Sequence, residues 1–200
     1  MKGFKLRLSL SMLRIGAMTA LVFCGPISSG AQQLDPTARH IQAYHQQLMP
    51  TLEHAGRLSV RECSQRFTPA ITSAFDFATM TRLAAGPAWN SFSGAQQSAV
   101  REAFTRFLIA DYASEVSDYS GKSAVVDPQT GPEPRGGGEL AKTKLFQTGG
   151  QTVTVNYLVR SGRVIDIYLN STISDLAIRR DEFASIIAPR GANALIKTAA

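Results

Sequence analysis

Cysteine is nearly missing from this 200-residue chain, which carries only Cys24 and Cys63. If Cys24 leaves with an N-terminal targeting segment, Cys63 stands alone and an intramolecular disulfide framework is excluded. No His or basic pattern surrounds Cys63, so it reads as a small buried hydrophobe and not as an activated thiol. Paired cysteines at metal-ligand spacing are missing, as is H-E-x-x-H. His40, His45 and His54 all fall on one predicted helix. His40 and His45 lie five apart and do not share a face well, so the three read as solvent-facing and no metal is expected. No serine sits in G-x-S-x-G, and no glycine-rich segment has a phosphate-loop pattern. Internal repeats are missing too.

Long apolar runs are scarce. The longest, within residues 13–23, is about 10 residues, where a membrane helix needs roughly 20. Lys2, Lys5, Arg7 and Arg14 form a basic start to this run, and Ser29-Gly30-Ala31 closes it with small residues. That is the pattern of a secretory signal peptide over residues 1–31, cleaved after Ala31. Residues 32–200 then suit a single domain. An alternative makes Cys24, in "LVFCG", a lipoprotein acceptor, although Phe23 before it is bulkier than such sites usually carry. The formal net charge is +6; the four basic residues of the signal, with no acidic ones, account for most of it and leave +2. The basic balance is therefore largely a targeting feature. It gives little support to nucleic-acid binding, and no basic stripe is interleaved with aromatics.

What is present is a change of period along the chain. Residues 35–57 read as a helix, with Asp35 as N-cap, Pro36 at the first helical position and Ile41, Tyr44, Leu48 and Leu52 on one face. A second helix covers 58–67 and stops near Pro69, and a third covers 71–83 with Asp76 near its start. Residues 93–120 carry the strongest helix pattern. Ser93 and Gln96 form a capping box, and Val100, Phe104, Phe107, Leu108, Tyr112 and Val116 follow at steps of three and four. Gly86-Pro87 breaks the chain just before Trp89, the only tryptophan.

Beyond Gly121 the spacing becomes that of strands. Residues 122–126 make a short strand, and 128–138, around "GPEPRGGG", a flexible loop. Strands over 140–148, 151–160 and 163–170 are joined by two-residue turns at Gly149-Gly150 and Ser161-Gly162. Val153, Val155, Tyr157 and Val159 alternate to one face; Ile165, Ile167 and Leu169 share a face in the last strand. A final helix starts at Ser174 or Asp175 and breaks at Pro189 and Gly191, with a last turn over 193–197. The class is α+β: N-terminal and C-terminal helices packed on one face of an antiparallel β-meander.

The carboxylates are scattered. Asp76 reads as a helix-start residue, and Asp166, in an apolar strand, as an outward residue or a hydrogen-bonded partner of Arg or Tyr. An enzyme using Asp76 or Asp166 as base on an apolar substrate stays open at this point, but sequence offers no acid partner. The aromatic inventory fits either a filled core or a lined pocket. The pattern does not choose between them.

Three stretches together resemble one family. They are "FDFATMTRLAAGPAW" (D-x-x-x-M-x-x-x-x-x-G-x-x-W), "QQSAVREAFTRFLIADYASEVSDYSG" and "VIDIYLNSTISDLAIRRDEFASIIAPRGANALI". The resemblance is to the MlaC-like, or toluene-tolerance, periplasmic lipid-shuttle proteins, and it covers nearly all of the chain after the signal. "LNSTIS" departs from the family's usual glycine-valine-serine stretch, and "AIRRDEF" has Arg where an aromatic is common. These departures make the chain similar to the hopanoid-associated HpnM branch. The resemblance implies a periplasmic, non-catalytic carrier of a phospholipid or hopanoid-like lipid, with no cofactor and a monomeric state. Its implied partners are an outer-membrane lipoprotein complex and an inner-membrane ABC transporter. It also implies an apolar cavity, expected between the meander and the aromatic helix. Candidate lipid-binding residues are Trp89, Phe104, Leu108 and Tyr112 from the helical part, with Val153, Val155, Tyr157, Ile165, Ile167 and Leu169 from the strands. A non-catalytic interaction module with a filled core is the alternative.

Overall fold

The structure is a computed structural model, and the residues described are 33–116, 121–134, 137–147 and 150–198. The signal-peptide and Cys24 readings fall outside them. Among these residues the helices are α1 (Pro36–Leu52), α2 (Val60–Ala74), α3 (Phe77–Ala85), α4 (Gly94–Glu115) and α5 (Asp175–Thr198). Between α4 and α5 run β1 (Gly121–Val126), β2 (Gly131–Pro132), β3 (Glu139–Gln147), β4 (Thr152–Arg160), β5 (Arg163–Leu169) and β6 (Ile173–Ser174). This is the expected α+β order of helices, meander, helix.

Local chemistry fixes most helix starts. Ser93 and Gln96 form the expected capping box: Ser93 N donates to Gln96 Oε1 at 2.9 Å and Gln96 N to Ser93 Oγ at 3.2 Å. A second capping box, Ser59 with Glu62, opens α2. Asp76 Oδ1 accepts from Thr79 N at 3.0 Å and caps α3. Asp35 precedes α1 without a side-chain cap. Its carboxylate instead accepts from Thr130 N at 2.8 Å, and its own N–H donates to Pro128 O at 2.9 Å. The segment read as a flexible loop is thus tied to the start of α1, and it carries β2, which pairs with β3.

Two helix boundaries differ from expectation. α2 runs through Pro69, because Cys63, Phe67, Ala70, Ile71 and Ala74 keep one buried face on both sides of it. A proline removes one i→i−4 hydrogen bond, and that shared burial offsets the loss. The chain breaks at Phe75, which is extended and bridges Val164 in parallel, while Asp76 N donates to Val164 O at 2.9 Å. At the other end, α5 continues past Pro189, and Gly191 alone leaves helical geometry (φ 69°, ψ −172°), kinking the helix.

The sheet is antiparallel in the order β1-β3-β4-β5-β6, with β2 also on β3. Ser161 and Gly162 both have positive φ, as a tight two-residue hairpin turn requires. Beyond this turn, Val159 pairs with Val164 but Leu158 pairs with Asp166, so Ile165 is an extra residue at a β-bulge. The expected common face of Ile165, Ile167 and Leu169 is broken there. Val164, not Ile165, joins Val155, Tyr157, Val159 and Ile167 in the core shared with the helices.

α1 lies on β1 and β3, and α3 and α5 lie on β5. α4 forms a second layer, packed mainly on α2, α3 and α5. Phe104 and Leu108 of α4 are fully buried there, with Phe104 edge-on to Phe183 at 5.3 Å between centroids. No helix among the described residues is long and apolar enough to cross a membrane.

Candidate functional site

The stripe of α1 that faces the sheet carries Tyr44, Leu48 and Leu52 at four-residue steps, with His45 beside them. α2 adds Phe67 and Ile71. Opposite them stand Leu145 of β3, Val155 and Tyr157 of β4, and Ile167 and Leu169 of β5. The end of α4, through Tyr112, Glu115 and Val116, borders one end together with Asp175 at the start of α5. These side chains line a cavity of about 140 Å³. A dry apolar cavity of about 150 Å³ accommodates benzene, so the space is that of one ring.

Of the residues expected to line a cavity, Tyr112, Val155, Tyr157, Ile167 and Leu169 border it. Phe104 and Leu108 lie behind it, because α4 meets the cavity only by its last turn. Val153 packs at the margin of the core and Ile165 sits at the bulge. Trp89 follows the Gly86 turn (φ 60°) in a short 3₁₀ segment, half-buried and edge-on to Phe92 at 6.0 Å. It packs at a corner of the helical core. The α1 and α2 wall was not assigned to the site from sequence. The i, i+4 spacing of Tyr44, Leu48 and Leu52 signalled a buried face but not what it faced.

His45 departs most from its sequence reading. It is 4% exposed, edge-on to Tyr157 at 5.4 Å and tilted against Tyr44 at 5.5 Å. The stripe of Tyr44 and Leu48 carries it inward. Neither ring nitrogen has a hydrogen-bond partner among the described residues. Burial pushes its pKa down to about 4, so the ring is neutral near pH 7. An unsatisfied buried polar group costs about 1–3 kcal/mol. His40 is half-buried, its Nε2 3.3 Å from Ala74 O, and His54 is exposed.

Beside Tyr112 and Asp175 lies a charged network. Tyr112 donates to Asp175 Oδ2 at 2.8 Å. Arg179 pairs with Asp111, with Asp175 at 3.3 Å and with Glu182 at 3.2 Å, and lies over the Phe107 ring at 5.1 Å. Burial raises the pKa of Asp175 despite the Tyr112 hydrogen bond and Arg179. Glu115, at the exposed rim, is also raised, by burial and then by Asp111 and Asp175.

Neither carboxylate considered as a base lines the cavity. Asp76 caps α3. Asp166 is buried and accepts from Ser174 Oγ at 2.6 Å, Ile167 N at 2.8 Å and Leu176 N at 3.0 Å. Its partners are a hydroxyl and two amides, not the Arg or Tyr expected. Burial raises its pKa against those hydrogen bonds. Cys63 is fully buried. Among the described residues no group of His, Cys, Asp and Glu is placed to hold a metal ion.

Fold and site together define an α+β domain whose helices close one face of an antiparallel sheet over an apolar cavity. The family model described as MlaC protein matches residues 42–199. The chain belongs to the MlaC family. No curated protein matched it. Among solved structures it is similar to the phospholipid-binding protein from Ralstonia solanacearum in complex with a phospholipid. That likeness has a TM-score of 0.68 at 17% identity and covers 82% of this chain and 94% of that one. At this identity the likeness concerns the fold.

Proposed function

We propose that this protein is an exported, non-catalytic carrier that shields a lipid in the periplasm. In this reading it exchanges the lipid, as a monomer, with an outer-membrane lipoprotein complex and an inner-membrane ABC transporter. The observation that carries the reading is the apolar cavity between α1, α2 and the sheet. Membership of the MlaC family and the fold shared with a protein that holds a phospholipid support it. So does the thermodynamic need for a shield. At about 0.8 kcal/mol per CH₂, two chains of roughly 15 methylenes resist transfer into water by on the order of 24 kcal/mol. The lipid-binding residues in this reading are those facing the cavity, with Tyr112, Val155, Tyr157, Ile167 and Leu169 opposite Leu48 and Ile71.

A one-ring cavity does not hold an acyl chain, so loading requires α1 and α2 to move off the sheet. The same small volume favours the second reading, an interaction module with a nearly filled core. Lipid mass spectrometry of the protein purified from its native envelope separates the two. A carrier yields stoichiometric lipid, and filling the cavity with Ile71→Trp removes it. A module yields none from either protein.

A further inference from the structure

One polar element in the cavity wall is left over by the carrier reading. Tyr112 and Asp175 satisfy each other, and Asp175 also faces Arg179. His45 lines the same cavity with both ring nitrogens lacking partners among the described residues. It packs edge-on against Tyr157 of the opposite wall at 5.4 Å between centroids.

A wall built only to exclude water from hydrocarbon would place Leu or Phe at position 45, since buried donors and acceptors are normally paired. A neutral imidazole offers one N–H donor and one acceptor. Resting on the carrier reading, we propose that His45, edge-on to Tyr157, forms a polar subsite in the cavity wall that takes an oxygen atom of the lipid. The oxygen is that of a hydroxyl or an ester carbonyl carried between the walls, so the subsite selects oxygen-bearing lipids over plain hydrocarbon. It sets how deep the ligand sits, because Leu48, Leu52, Phe67, Ile71, Val155 and Ile167 offer the rest of the chain apolar contact only. A ligand that fills the cavity supplies the partner the protein lacks, and a slight turn of the ring brings a nitrogen to it.

Three probes of sixteen carbons each test this on lipid-extracted full-length protein: hexadecane, hexadecanol and methyl pentadecanoate. Affinities are measured by competition for a fluorescent fatty-acyl reporter, and the ring ¹⁵N resonances of His45 are followed in parallel. A hydrogen bond of ordinary net strength gives the oxygenated probes about a five- to tenfold advantage over hexadecane. His45→Leu should erase that advantage, and His45→Gln, which restores a donor and an acceptor, should recover part of it. The ¹⁵N resonances should move with hexadecanol or methyl pentadecanoate and not with hexadecane. Preference for hexadecanol alone assigns the subsite to a hydroxyl; preference for both assigns it to any accepting oxygen. Equal affinity for the three probes, or a preference that survives His45→Leu, overturns the subsite and leaves the carrier standing. So do ¹⁵N resonances that respond alike to hexadecane and hexadecanol, the result expected if water serves His45. Failure of every probe to bind overturns the carrier reading together with the subsite.

Discussion

His45 makes a quantitative test of the cavity wall. Its pKa is about 4 in the folded chain against 6.5 for an ordinary histidine. The unfolded chain therefore takes up a proton on acidification before the folded chain does. Stability from this group is complete above the unfolded pKa and is lost as pH falls from about 6.5 toward 4. The full difference corresponds to about 3 kcal/mol, and about 2 kcal/mol is already gone at pH 5. Other groups titrate in the same range. Asp166, Asp175 and Glu115 have raised folded pKa values, so acidification favours the folded state through them and opposes the His45 effect. The comparison must therefore be a difference. Urea unfolding of the lipid-extracted protein and of His45→Phe, at about pH 7 and pH 5, cancels the carboxylates shared by both. Phe keeps the ring packing on Tyr44 and Tyr157 and removes the titration. The wild-type protein should lose about 2 kcal/mol more than the variant between the two conditions. Parallel losses would refute the burial of a neutral, unpartnered imidazole.

Trp89→Ala should cost about 1–2 kcal/mol in chemical denaturation, below the 3–5 of a fully buried aromatic, because Trp89 is half-buried at a corner. Lipid recovered by mass spectrometry should be unchanged, since Trp89 does not border the cavity. Leu108→Trp should act through stability instead, overpacking the layer behind the cavity by about 1–3 kcal/mol or more, whereas Ile71→Trp should remove lipid first. Asp166→Ala orphans Ser174 Oγ and the amides of Ile167 and Leu176, and should cost about 3 kcal/mol or more in thermal unfolding. It should also speed amide exchange at the start of α5.

The order of elements was legible because its signals are local. The Ser93/Gln96 box, the Ser161-Gly162 turn and the alternation of β4 each rest on residues close in sequence. The misplaced boundaries rest on distant ones. Pro69 resembles a stop until Ile71 and Ala74 are seen to continue the buried face of Cys63 and Phe67. The actual break at Phe75 is set by Val164, across the whole chain. The site divides in the same way. Val155, Tyr157, Ile167 and Leu169 follow from strand alternation once the covered face is known. Phe104 and Leu108 carry the same apolar signal as lining residues, but α4 sits in the second layer, and layer order leaves no mark on period. His45 was unreadable for a related reason: one turn of α1 offers both faces, and only the sheet decides which is inside.

The bulge at Ile165 links these observations. If β5 kept all its residues and alternated strictly, with no bulge, Ile165 would share the face of Ile167 and Val164 would lie opposite. With it, Val164 stays in the core, where it bridges Phe75 and so fixes the junction of α2 and α3. Beyond the bulge, Asp166 pairs with Leu158 and alternates away from Ile167. From there it reaches Ser174 and the amide of Leu176, holding the first turn of α5 against the sheet. That first turn carries Asp175 to Tyr112 and Arg179, the contacts that border one end of the cavity. The bulge thus lies between the residue that reaches the helical wall through Phe75 and the carboxylate that holds the start of α5. Deleting Ile165 leaves Val164 opposite Val159 and Asp166 opposite Leu158, so regular alternation keeps Val164 and Ile167 on the core face. The deletion should therefore cost one buried isoleucine side chain and the local bend of β5, not the register. Near-ultraviolet circular dichroism and lipid retention should persist in it at a temperature where Val164→Asp, which puts a charge into the core at the Phe75 bridge, loses both.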